Sequence, residues 1–126
     1  MIHKQHQLAN PGNGLPTVDK IEFVDVYTIT RIEGEGNYSN IYFDNGAQLL
    51  VAKSLVEFEG LLSEYDFIWV HKAHAVNVKQ IKAFLKSDGA SLQLKNGNVI
   101  PVSRRRRDFV LEKLKLTQTK AGFIII

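Results

Sequence analysis

The apolar positions of this chain fall in short runs separated by turn residues, the pattern of a β-rich fold. Residues 20–26 and 27–33 are rich in β-branched and aromatic types, which predicts a strand in each. Residues 39–43 and 47–52 flank Asp44-Asn45-Gly46, a hairpin signal. Two more turns, at Asp88-Gly89 and Asn96-Gly97, separate predicted strands at 81–86, 91–95 and 99–102. Pro101 lies in the last of these. Lacking an N–H for the ladder, it suits an edge strand or a strand end.

Two segments switch to helical spacing. Ser54-Leu55-Val56-Glu57 reads as a capping box, followed by an apolar face of Leu55, Phe58, Leu61 and Leu62. A second helix is expected to start after Ser103 and run to about Lys115, burying Val110, Leu111 and Leu114. Residues 1–18 are polar, with Asn10-Pro11-Gly12-Asn13-Gly14 and Pro16, and read as a flexible lead-in or linker remnant. Residues 117–126 end in Phe123-Ile124-Ile125-Ile126, an apolar tail that could add an edge strand or dock on a neighbour. Strands dominate without a βαβ rhythm, so the expected class is mainly β with one or two short helices. A parallel α/β sheet is excluded on the same ground.

At 126 residues the chain has room for one modest core. It has no cysteine, which removes disulfides and thiolate metal sites and fits a reducing, cytoplasmic setting. No segment approaches the roughly 20 apolar residues of a membrane span, and residues 1–7 lack the apolar run of a signal peptide. The net charge is only +3, but it is unevenly distributed. Residues 1–70 carry 4 Lys/Arg against 10 Asp/Glu, net −6, and residues 71–126 carry 12 against 3, net +9. That asymmetry points to an anionic partner for the second half, or to a basic surface kept for solubility.

The densest part of that charge is Ser103-Arg104-Arg105-Arg106-Arg107, at the expected helix start. The macrodipole disfavours cations there by up to about 0.3–1 kcal/mol each when exposed. A phosphate would offset this, because guanidinium forks and the free N–H groups of a helix start both favour an anion. The plain alternative is a solvated end paired with Asp108, Glu112 or acids of the first half. His71 and His74 sit three apart, but no carboxylate close in sequence completes a metal set, and no cofactor is expected. His71 reads as a packed strand-end residue; Lys72 and His74 read as outward donors to phosphate or base edges. Glu33-Gly34-Glu35-Gly36 lacks the spacing and the Lys-Ser/Thr ending of a phosphate loop, and its glutamates would repel a nucleotide. Asn37, Tyr38, Ser39 and Asn40 supply amides and hydroxyls of the kind that read base edges, or that simply build a turn. No nucleophile–base set emerges, and neither an enzyme nor a small-molecule substrate is expected.

The ordered set Arg31-Ile32-Glu33-Gly34-Glu35-Gly36-Asn37-Tyr38, Lys53-Ser54-Leu55, Phe67-Ile68-Trp69-Val70-His71-Lys72, Val76-Asn77 and Pro101-Val102-Ser103-Arg104-Arg105 resembles the LytTR DNA-binding domain. That domain is the output module of many bacterial response regulators, and the resemblance covers residues 19–116. It implies small antiparallel sheets in an elongated β fold with short helices. It also implies a regulator that reads double-stranded DNA with loops in successive major grooves, often at paired direct repeats, and bends the duplex. A homodimer on DNA is compatible with such sites.

Carried over by motif, the base-reading positions are Asn37, Tyr38, Ser39, Asn40, Lys72 and Arg105, with Lys72 and Arg105 foremost. Lys53, His74, Ser103, Arg104 and Arg106 would hold the DNA backbone, so Arg106→Ala is expected to weaken all sequences alike. Lys72-Ala73 departs from the family's usual Arg-Ser pair, which turns a bidentate fork into a point charge. Trp69 stands where a basic residue is common. The competing reading is a small β module that binds RNA or an acidic protein through the basic half. Association with an anionic membrane through the basic run and the Phe123–Ile126 tail is a weaker one.

Overall fold

Phe67-Ile68-Trp69-Val70 is a continuous apolar run because its strand is covered on both faces, as the computed structural model of residues 21–126, apart from Asp88 and Thr119, shows. Eight strands and two short helices occur among the described residues, in the order β1 (Ile29–Glu35), β2 (Tyr38–Phe43), β3 (Gln48–Val51), α1 (Glu59–Glu64), β4 (Phe67–His71), β5 (His74–Asn77), β6 (Ile81–Leu85), β7 (Ala90–Leu94), β8 (Val99–Val102) and α2 (Arg107–Thr117). They form an antiparallel five-stranded sheet, ordered β3-β2-β1-β5-β4, and an antiparallel three-stranded sheet, ordered β6-β7-β8. This is the expected mainly-β class with two short helices.

Alternation along β4 and β5 divides the core in two. Phe67 and Ala75 join Ile32, Ile41, Leu49, Leu55 and Leu62 under the first helical segment. Ile68, Val70 and Val76 face the other way, onto Leu92, Leu94, Ile100 and Val102 of the small sheet and onto Val110 and Leu114 of α2. Because side chains alternate across a strand, one hairpin serves both clusters. Asn77 ends that hairpin: its buried side-chain amide donates to the Ile29 carbonyl at 2.9 Å, and its oxygen accepts the Lys79 N–H.

The expected elements shift in several places. Lys20 lies outside the described residues, and residues 21–25 form no strand. The chain then makes a 3-10 turn at Val26–Thr28, where Asp25 accepts the Tyr27 N–H and Thr28 Oγ1 donates to the Asp25 carbonyl. These local bonds compete with a ladder, so β1 starts only at Ile29. Both helices open as 3-10 turns, Leu55–Phe58 and Arg104–Arg106, before α-helical geometry sets in. Glu57 does reach back to the Ser54 backbone N–H, at 2.9 Å. Ser103 occupies the cap position, but its hydroxyl makes no capping bond. Pro101 lies on β8, an edge strand, where its missing N–H leaves no gap in the ladder. The tail forms no strand; Ala121 is buried and Phe123 packs on the second core cluster, while Ile124, Ile125 and Ile126 are exposed. No described helix is long and apolar enough to cross a membrane.

Candidate nucleic-acid interface

The pairing registers bring four distant stretches to one end of the five-stranded sheet. β1 and β2 close at Glu35↔Tyr38, which places the Gly36-Asn37 turn at that end. Val51 pairs with Ser39, so β3 leaves the sheet beside the same turn, toward Lys53. β5 runs against β1 with Glu33↔His74, which brings the Lys72-Ala73 turn alongside. Finally, the Ser103 N–H donates to the Val70 carbonyl at 2.9 Å, drawing residues 103–107 onto the end of β4.

Each turn is held by backbone chemistry. Gly36 has φ +64°, a conformation that glycine takes without strain. Between β4 and β5 the chain makes a two-residue turn closed by His71↔His74. His71 Nδ1 accepts the Ala73 N–H at 3.1 Å. The Gly34 N–H donates to the Ala73 carbonyl at 2.9 Å and ties this turn to β1. Gly34 is closely packed here: a Cβ would lie 3.0 Å from the Cβ of Leu55, which would have to give way.

Of the residues singled out from sequence, Asn37, Tyr38, Lys53, Lys72, Arg104 and Arg105 are exposed at this end, and Ser103 is half-buried beside them. Four others are differently placed. Ser39 is fully buried and its hydroxyl donates to the Lys53 carbonyl at 2.7 Å, so it fastens β2 to the chain leaving β3 and has no surface to offer a base. Asn40 is half-buried one position further into the strand, between Glu33 and Leu50. His74 is half-buried opposite Glu33, its ring centroid 5.1 Å from that of His71. Burial lowers its pKa from the ordinary 6.5, with His71 and Arg31 adding to the effect and Glu33 opposing it, which favours the neutral ring. Arg106 is half-buried, and its Nε–H donates to the Trp69 carbonyl.

Arg107, the first residue of α2, is exposed and completes the cationic group, although the carry-over by motif gave it no individual role. The signal was present, since it ends the arginine run; the change from the 3-10 turn that ends at Arg106 to the α-helix that starts at Arg107 was not legible. Among the described residues, Arg104, Arg105 and Arg107 form no ion pair with Asp108 or Glu112. The exposed Glu35 also lies at this end of the sheet.

Behind the surface, Arg31, Glu33 and Tyr42 form a network on the sheet face. Arg31 pairs with Glu33 at 3.2 Å, lies 3.7 Å over the Tyr42 ring, and the Tyr42 hydroxyl donates to Glu33 at 3.3 Å. Burial, then the Glu33 charge, raises the Tyr42 pKa. This network occupies Glu33. No group of His, Asp and Glu among the described residues could hold a metal ion.

Known proteins give this geometry its context. Residues 19–115 match the family described as the LytTr DNA-binding domain. A solved LytTr DNA-binding domain from Bacillus cereus superposes with a TM-score of 0.67 at 28% identity, covering 79% of this chain and 93% of that one. The CO-responsive transcriptional regulator RcoM of Rhodospirillum rubrum is 28% identical over 86 residues, which is 66% of this chain but only 36% of that regulator. The chain thus spans about a third of the curated relative's length. The family match spans all the segments that meet at the cationic end of the sheet, and the chain belongs to the LytTr DNA-binding domain family.

Proposed function

We propose that this chain binds double-stranded DNA sequence-specifically as part of a transcription regulator, through the end of the five-stranded sheet. The observation that carries this is the convergence there of four separate segments, three of which bear the exposed cations Lys53, Lys72, Arg104, Arg105 and Arg107. Two projecting turns and a helix start at one sheet end suit insertion into successive major grooves. Lys72 and Arg105 act on base edges, where lysine and arginine meet guanine acceptors, and Asn37 and Tyr38 add amide and hydroxyl contacts. Lys53, Ser103, Arg104 and Arg107 hold the phosphates. Two copies side by side on paired direct repeats are part of the same proposal.

Selection from random duplex DNA tests this. A recurring half-site, repeated about one helical turn (roughly 10 base pairs) away, is the expected result. With about six phosphates neutralised, log affinity falls against log salt with a slope near −5. A slope near zero on every duplex overturns the proposal. Tighter binding of single-stranded RNA than of duplex DNA at equal salt would instead favour the RNA-binding module.

A further inference from the structure

Arg106 stands apart from the other arginines of the run. Arg104, Arg105 and Arg107 are exposed, whereas Arg106 is half-buried. Its Nε–H donates to the Trp69 carbonyl at 2.6 Å, and its guanidinium carbon lies 4.7 Å from the centroid of the Phe109 ring. A cationic donor on a carbonyl makes a short, strong bond, and the aromatic face adds to it. This also accounts for Phe109, which is 48% exposed and covers the guanidinium.

The acceptor is what matters. Trp69 lies on β4 just before the turn that carries Lys72, where the β4–β5 ladder shifts register between Trp69 and His71. The next carbonyl, that of Val70, takes the Ser103 N–H. Two successive carbonyls at this bulge are thus bonded to the segment that bears Arg104 and Arg105. One of those bonds depends on a side chain.

We infer that Arg106 is a positioning residue, which latches the Arg104–Arg105 segment to the β4–β5 hairpin at the spacing at which Arg105 and Lys72 read bases together. The inference rests on the DNA-binding reading above and replaces the expectation that Arg106 grips a phosphate. Base-edge hydrogen bonds tolerate only a few tenths of an ångström, whereas phosphate attraction acts over about a Debye length. Loosening the latch therefore costs discrimination before it costs total affinity.

The test measures affinity of the wild-type chain and Arg106→Ala for a selected duplex and for its single-base-pair variants, across a salt series. The expected result is a loss of about tenfold in discrimination, the scale of one base contact, with the salt slope unchanged. Phe109→Leu, which alters no charge, shifts discrimination in the same direction, and the double variant adds little to Arg106→Ala. A slope shallower by about 0.9 with discrimination retained means that Arg106 grips a phosphate, and overturns the latch. A lower melting temperature with wild-type discrimination in the folded protein overturns it too. Should Arg106→Ala fail to fold, Arg106→Lys keeps the charge without the flat guanidinium, and unaltered discrimination in that variant is again fatal. Absence of duplex binding by the wild-type chain removes the DNA reading itself, and the latch with it.

Discussion

The backbone N–H of Gly34 donates to the carbonyl of Ala73 at 2.9 Å, and that one bond joins the two turns whose tips carry Asn37 and Lys72. It links β1 to the start of β5 where the regular pairing stops at Glu33↔His74. Leu55 packs directly behind it, so the backbone there has contacts on both sides.

Gly34→Ala tests how tightly that joint is packed. The new methyl would meet the Leu55 Cβ at 3.0 Å, inside ordinary contact. We expect about 1–3 kcal/mol of destabilisation in urea unfolding, the usual range for overpacking a filled site. Unchanged stability would mean that Leu55 yields freely.

Asn37 and Ser39 separate contact from support. Ser39→Ala removes the bond to the Lys53 carbonyl and is expected to cost about 0.5–1.5 kcal/mol, or more if the carbonyl stays unsatisfied. Asn37→Ala, at an exposed turn, leaves the melting temperature unchanged and weakens binding to the selected duplex. The reverse pattern would return Ser39 to the DNA surface.

His74 makes stability depend on pH in a definite direction. Its folded pKa lies below 6.5, so as pH falls through 6.5 the unfolded chain takes up that proton first. Stability from this site is full above about 6.5, declines as pH falls, and levels off once the folded ring also titrates. The groups that face it are Glu33, His71 and Arg31. His74→Gln should flatten this part of the profile in thermal melts between pH 5 and 8 (roughly the histidine range). An unchanged profile would assign it to another group.

Arg105 and Arg107 are expected to differ in kind. Arg107→Ala makes the salt slope shallower by about 0.9 and weakens all duplexes alike. Arg105→Ala relaxes preference at one base pair, costing roughly 1–3 kcal/mol there. Equal, sequence-independent losses from both would end the division between reading and gripping.

Much of this was legible in the chain. The Asn-Gly turns, the capping Glu57, the edge position of Pro101 and the cationic run are local signals, and each stands where its own chemistry puts it. Residues 21–25 misled because β-branched composition says what suits a strand but not whether a partner strand is available. Ser39 and Asn40 are placed by a related effect. They continue the turn in sequence, but the alternation of β2 turns Ser39 inward and carries Asn40 onto the sheet.

The sequence by itself determined the β-rich class, the uneven charge and the run of four arginines, because composition, period and turn chemistry are properties of neighbouring residues. Only the tertiary structure decided which of those arginines face solvent. Arg106 differs from Arg105 by the Trp69 carbonyl, 37 positions away along the chain, and by the Phe109 ring that covers it. Contacts across such separations depend on the register of β4 and on where β8 ends. Local pattern carries neither.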